Sequence, residues 1–200
     1  MQVALINETA RPQDAIRSAM NVTRGSTNDN CEDDAKRFLA LAKLHHWSPF
    51  EHASFTFELN GISRVTQQQL TRHRMASFSI ESQRSVRVCD DTDEVYVAPD
   101  TVSKHEMGLV WNNAIAAVTD AYRTMIKNGV PMGDARYVLP GATVGRIIVT
   151  MNARELYHFF KLRLAPSAQW EIRKLACQMF TMLHNAWPDI FNEEIMKYAE

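Results

Sequence analysis

Cysteine is scarce and scattered: Cys31, Cys89 and Cys177 are the only three, and no C-x-x-C pair occurs among them. An odd, widely spaced set builds neither a disulfide framework nor a thiolate zinc site, so the three read as reduced thiols, buried or half-buried. No apolar run approaches the length that a membrane-spanning helix needs. The first residues, MQVALINETA, have neither a basic start nor a long apolar stretch, which argues against a secretory signal. The expectation is a cytoplasmic chain with no membrane partner.

An excess of charge of either sign is missing as well. Lys and Arg number 22 against 23 Asp and Glu, so there is no global basic field of the kind that nucleic acid attracts. The basic patch from Arg72 to Arg87 also lacks the interleaved aromatic residues on which single-stranded bases stack. Any anion site must be local. G-x-G-x-x-G after a strand, the P-loop, H-E-x-x-H and G-x-S-x-G are all absent. A nucleotide would therefore be held by side chains and irregular loops. His45, His46 and His52 have no carboxylate partner at metal-ligand spacing, and no metal site is expected. No cysteine has a strongly basic neighbourhood; Cys89, two residues from Arg87, comes nearest to a thiolate nucleophile.

What is present is a chain of 200 residues, 46% apolar, with no linker-like tract. Residues 1–200 are expected to form one domain. MQVALI reads as a strand. PQDAIRSAMNVTRG reads as a helix with Gly25 as its C-terminal cap. STNDN supplies cap formers for a second helix through EDDAKRFLALAKLHH, which places His45 and His46 in its last turn. ASFTFELNG alternates as a half-buried strand that stops at Asn60-Gly61. ISRVTQQQLTRHR reads as a helix, and RSVRVCD and EVYVAP as short strands. Ser103 with Glu106 forms a capping box for the longest helix, whose apolar stripe runs through Leu109, Val110, Ile115, Val118, Tyr122 and Met125 to Gly129 and Pro131. TVGRIIVTM is a strand. Asn152 with Glu155 caps a helix over ARELYHFFKLR, and SAQWEIRKLACQMFTMLHNAW closes the chain as an amphipathic helix before Pro188. Helices and strands mix without βαβ alternation, so the class is α+β.

Two stretches carry candidate chemistry. RHRMASFSIESQRS, from Arg72 to Ser85, gathers Arg72, His73, Arg74 and Arg84 with Ser77, Ser79, Ser82 and Ser85. It is either a solvated loop, its arginines paired with Glu81, Asp90, Asp91 or Asp93, or an anion cradle of guanidinium forks and hydroxyls. Arg64, Gln68 and Arg72 share a helix face, as do Gln69 and Arg72, whereas Arg72 and Arg74 point apart unless the helix ends there. In NARELYHFFKLR, Arg154 and His158 share a face. Leu156, Phe159, Phe160 and Leu162 face the core, and Arg163 stands at or beyond the helix end. Arg136 lies beside an apolar run in DARYVLP, as a snorkelling or ion-paired side chain or as part of a site.

Taken together, PFEHASFTFEL, GISRVTQQQLTRHRMASFSIESQRS, DARYVLP, VTMNARELYHFFKLR and AQWEIR resemble the flavin-dependent thymidylate synthase family, in the family's order. Its hallmark, R-H-R followed by seven residues and Ser, is here Arg72-His73-Arg74 with Ser82. The resemblance implies an α+β fold of mixed helices and a mainly antiparallel sheet, a homotetramer, and active sites at subunit interfaces. It implies bound FAD reduced by NADPH, and conversion of dUMP to dTMP with methylenetetrahydrofolate as one-carbon donor and no cysteine nucleophile. By the same resemblance, Gln69, Arg72, Glu81, Ser82, Gln83, Arg84 and Arg136 are dUMP-binding, and Arg163 is the catalytic residue near uracil N3. Ser54, Arg72, His73, Arg74, Ile80, Asn152, Arg154 and His158 are FAD-binding, and His52 lies near flavin and folate. The chain departs from the family's S-x-N-E-x-S-x-R-Y pattern at Ser79, Ile80 and Ser85. An apolar Ile80 can meet a cofactor only through its side-chain surface or its backbone.

Overall fold

The computed structural model describes residues 1–26, 33–88 and 95–199. In chain order the elements are β1 (Gln2–Glu8), α1 (Pro12–Arg24), α2 (Asp34–Lys43), a 3₁₀ turn (Ser48–His52), β2 (Ser54–Ser63), α3 (Arg64–Leu70) and β3 (Ala76–Ile80). There follow α4 (Asp100–Lys104), α5 (Gly108–Lys127), α6 (Met132–Ala135), a second 3₁₀ turn (Arg136–Val138), β4 (Val144–Asn152), α7 (Ala153–Arg163), α8 (Trp170–Ala186) and α9 (Glu193–Met196). One four-stranded, antiparallel sheet has the order β1-β2-β4-β3. The class is α+β, as expected. No described helix is long and apolar enough to cross a membrane.

The chain divides into two compact units: unit 1 comprises Met1–Leu59, Gln69–Ser79 and Ile148–Glu200, and unit 2 comprises Asn60–Gln68 and Ile80–Ile147. Unit 1 has an aromatic core. Trp47 lies 5.3 Å from Tyr157 and 5.2 Å from Phe50, and Phe191 stacks on Tyr157 at 5.6 Å, in the tilted, edge and stacked arrangements that ring quadrupoles favour. The Tyr157 hydroxyl, fully inside, donates to the Ile190 carbonyl, and burial pushes its pKa well above the ordinary phenol value. Unit 2 centres on Tyr122 and Ala135, flanked by Met125, Ile126, Val130 and Leu139.

Several sequence expectations change. β2 runs through Asn60-Gly61 to Ser63, because only Gly61 takes a positive φ (70°). A tight hairpin turn at that dipeptide needs both residues there. One left-handed residue instead shifts the in-out alternation by a step and leaves the strand intact. The helix expected over 62–74 is only α3, and the motif beyond it contains an unforeseen strand, β3. Residues 84–88 form turns and a bend, and Tyr96 makes an isolated bridge to Thr143, so neither expected short strand is there among the described residues. Cys31, Cys89, Asp90, Asp91, Asp93 and most of the STNDN cap cluster lie outside the described residues. His45 and His46 fall beyond the end of α2, with His45 at positive φ. The Ser103 and Glu106 capping box does not form: Ser103 lies within α4, and Glu106, at φ 56°, ends that short helix before α5 begins at Gly108. Of the α5 stripe only Tyr122 is buried; Leu109 and Val110 are 74% and 64% exposed. Leu162 is likewise exposed, although Leu156, Phe159 and Phe160 are inside.

In unit 1, Arg17 on α1 grips Asp34 at the start of α2: Nη2 donates to Oδ2 at 2.7 Å and Nε to Oδ1 at 3.0 Å, both residues buried. That hydrogen bonding raises the Arg17 pKa further above its ordinary value. Removing Asp34 leaves the buried guanidinium only the partly exposed Asp14, at 2.9 Å, as counter-charge. Asp34→Ala is expected to cost roughly 3–5 kcal/mol in urea denaturation. A loss under about 1 kcal/mol, the scale of an exposed pair, would contradict the buried clamp.

Candidate active site

Within unit 1 the site begins at the entry to α7. The Asn152 side-chain oxygen accepts the Glu155 backbone N–H at 2.9 Å, the cap that the sequence pattern predicts. From that start Arg154 and His158 face outward while Glu155, Leu156 and Phe159 face inward. A cavity of about 530 Å³ opens here, lined by Trp47, Glu51, Met75, Asn152, Arg154, Glu155, Tyr157 and His158. Arg154 donates to Glu51 at 2.6 Å, in a pair exposed enough to be exchanged for a ligand's anion at small cost. On the same lining Trp47 Nε1 is a buried donor with no partner among the described residues. An indole N–H, a cationic side chain, an imidazole and an amide around one apolar-walled cavity suit a flat aromatic ligand carrying phosphate. The site thus fits part of a flavin dinucleotide.

The turn after α3 places Arg72 outward, His73 inward and Arg74 outward. His73 is 3% exposed, and its backbone N–H donates to the Leu70 carbonyl. Its Nδ1 lies 3.1 Å from Glu155 Oε1, and its Nε2 accepts from Arg163 Nε at 3.0 Å. Arg163, the last residue of α7, also donates from Nη2 to the Gln69 carbonyl at 3.3 Å. Burial lowers the Arg163 pKa, but a guanidinium stays charged throughout the working pH range. With both ring nitrogens engaged, His73 does not offer a side-chain hydrogen bond to a cofactor. Ser54, at the start of β2, exchanges hydrogen bonds with Thr9: its N–H meets Thr9 Oγ1 and its carbonyl accepts the Thr9 N–H. His52 lines a different groove, of about 490 Å³, with Ala15, Val22 and Pro49.

Of the expected residues, unit 2 holds Ile80, Glu81, Ser82, Gln83, Arg84 and Arg136, whereas Gln69 and Arg72 belong to unit 1. The Glu81 N–H donates to the Arg146 carbonyl, and Arg64 Nη2 donates to the Glu81 carbonyl at 3.0 Å while its Nη1 holds Gln67 Oε1 at 2.7 Å. Ser82 then turns the chain. Its Oγ accepts the Arg84 N–H at 3.2 Å, and its carbonyl accepts the N–H groups of Ser85 and Val86. The Arg84 stem passes 3.7 Å from where a Cβ on Gly133 would stand, and Arg136 Nε donates to the Gly133 carbonyl at 3.1 Å. Arg84 and Arg136 therefore meet at one glycine. Burial lowers the Arg64 pKa, Glu81 opposes that, and the nearby positive Arg136 adds to it. Among the described residues, Arg64 Nε and Gln83 Nε2 are buried donors without partners. Three guanidiniums and the Gln83 amide near one turn are groups of the kind that suit an anion. Gly145 makes the packing possible, since a Cβ there would lie 2.5 Å from Gln67 Nε2.

Sequence reasoning missed three of these residues. Arg64 was read only for its helix face, Glu155 only as a cap partner, and Trp47 not at all. His73, Glu155 and His158 also form a group whose ligating atoms lie within 4.8 Å of one another, an arrangement hidden by an 82-residue separation.

Residues 4–189 match the family described as thymidylate synthase complementing protein. The flavin-dependent thymidylate synthase of Geobacter sulfurreducens is 42% identical over 96% of this chain and 86% of its own length. The chain belongs to the flavin-dependent thymidylate synthase family. The family enzyme of Pyrococcus abyssi is 40% identical over 90% of this chain and 77% of its own. Two solved structures share the fold. A UMP/dUMP methylase from Streptomyces cacaoi, bound with 5-Br dUMP, superposes with TM-score 0.85 at 26% identity, covering 99% of this chain and 95% of that one. A flavin-dependent thymidylate synthase from Helicobacter pylori, complexed with FAD and dUMP, gives 0.78 at 24% identity over 96% and 99%. The chain carries R-H-R at Arg72, His73 and Arg74, with Ser82 eight positions beyond Arg74.

The Asn152 cap allows a separation of roles. Asn152→Ala is expected to cost about 1 kcal/mol of stability, whereas Asn152→Asp keeps an acceptor for the Glu155 N–H and loses little. Urea unfolding of the two variants checks this, and equal losses would remove the cap from the account of α7.

Proposed function

We propose that residues 1–200 act as one catalytic domain converting dUMP to dTMP, with FAD bound, NADPH as reductant and methylenetetrahydrofolate as one-carbon donor. Kinship along nearly the whole chain with the hallmark intact is the observation that carries this reading. Gln69, Arg72, Glu81, Ser82, Gln83, Arg84 and Arg136 are assigned to dUMP. A nucleotide monophosphate is close to a dianion, and the arginines, the Ser82 turn and the unmatched donors at Arg64 and Gln83 supply complementary charge and hydrogen. Ser54, Arg72, His73, Arg74, Ile80, Asn152, Arg154 and His158 are assigned to FAD; of these Asn152, Arg154 and His158 line the cavity onto which the Trp47 N–H opens.

When bound and reduced, the flavin supplies the hydride that completes the methyl group. The chain's own share is position, charge and exclusion of water. Arg163 stands ready-made for this: its guanidinium is anchored through Nε and Nη2, which leaves the Nη1 edge for the pyrimidine. A fixed cation placed where negative charge develops lowers the barrier without reorganising during the reaction. The exposed apolar residues of α5, Leu109 and Val110 with Met107 before them, support a homotetramer by giving a partner subunit something to cover. A cytoplasmic location completes the proposal.

The purified protein is expected to show flavin absorption and to oxidise NADPH only when dUMP and methylenetetrahydrofolate are supplied. Arg163→Lys should keep the fold and the flavin but lose about a hundredfold or more in kcat, since a point ammonium cannot reproduce the planar fork. A colourless protein that stays inactive with added FAD would sink the enzyme reading. Wild-type turnover from Arg163→Lys would remove Arg163 from its role.

A further inference from the structure

We propose that Glu155 is a positioning residue for this reaction: its carboxylate fixes His73 as the Nδ1–H tautomer, so that the Nε2 lone pair receives and aims the Arg163 guanidinium. The proposal rests on the reading of Arg163 as the residue that meets the pyrimidine. Arg163 Nε carries a hydrogen and no usable lone pair, so across the 3.0 Å contact it must donate and His73 Nε2 must accept. An imidazole accepting at Nε2 carries its proton on Nδ1, and that N–H faces Glu155 Oε1 at 3.1 Å. A doubly protonated ring would set an N–H and a like charge against Arg163.

Burial makes this arrangement costly to break. Glu155 and His73 are 7% and 3% exposed, so an unmet donor or acceptor there is costly. Glu155 is itself placed by its backbone bond to the Asn152 cap. The Phe159 ring meets His73 edge-on at 5.0 Å, His158 lies 5.7 Å away, and Arg72 and Arg74 flank it outside. A cation shared by His73, Glu155 and His158 would have to take an atom already holding this chain together. The contacts therefore describe a relay, with carboxylate, imidazole and guanidinium in series. Its output is the orientation of the Arg163 fork, since the Gln69 carbonyl holds the second corner at Nη2.

The test is the tautomer, read by ¹⁵N NMR of histidine-labelled, flavin-loaded protein, with His73 assigned by its loss in His73→Gln. The expected spectrum shows His73 singly protonated on Nδ1. Protonation on Nε2, or zinc binding that shifts the His73 and His158 signals together in the purified protein, overturns the proposal whatever the variants do. Glu155→Gln keeps an acceptor for Nδ1–H and should retain both the tautomer and near wild-type turnover. Glu155→Leu should give mixed tautomers and lose about tenfold to a hundredfold in kcat, with the KM for dUMP changed less. A Glu155→Leu protein with one tautomer and wild-type kcat also overturns it. If Arg163→Lys proves active while the Nδ1–H tautomer stands, the reading of Arg163 has failed and the relay has not.

Discussion

A guanidinium can donate hydrogen bonds and never accept them, and that one-way chemistry organises both units of this chain. In unit 1 it forces the neighbour of Arg163 to be an acceptor and thereby propagates a definite proton position through His73 to Glu155. In unit 2 it ties Arg64 to the Glu81 carbonyl, just before Ser82, and Arg136 to the Gly133 carbonyl beside the Arg84 stem. Arginine is structural cement here before it is a ligand. The same side chains that would meet a phosphate or a pyrimidine are already partly spent on main-chain oxygens, which pre-orients what remains.

That division explains how a chain with a net charge of -1 can hold an anion cradle. The positive charge is local, and at Arg64 it is partly withdrawn from water, which lowers that pKa. In such surroundings a matched anion is worth more than it would be on a solvated basic face. Buried donors without partners, at Arg64 Nε, Gln83 Nε2 and Trp47 Nε1, mark where the folded chain has left hydrogen-bonding capacity over.

Much of the fold was legible because local signals agreed with one another. Gly25 at positive φ, the Asn152 cap and the alternation of Phe55, Phe57 and Leu59 all stand where the sequence places them. The misreadings arose where one residue served two grammars. Asn60-Gly61 spells a turn, yet a single left-handed glycine inside a strand does the work of a bulge. Ser103 and Glu106 spell a capping box, yet Glu106 terminates one helix instead of starting another. The site was legible as motifs and illegible as geometry. Spacing cannot show that His73 and Glu155 touch across 82 residues, or that Arg84 and Arg136 meet at Gly133. Tertiary contact decides those, and only the hallmark with its accompanying blocks pointed toward them.

The most direct measurement of the whole account is a crystal structure with FAD and dUMP bound. It is predicted to show flavin atoms against Asn152, Arg154 and His158, with the Trp47 N–H bonded to the ligand. Arg163 should still be donating from Nε to His73 while its Nη1 edge faces the pyrimidine. Flavin bound away from that cavity, or an Arg163 that has left His73 to reach the substrate, would contradict it.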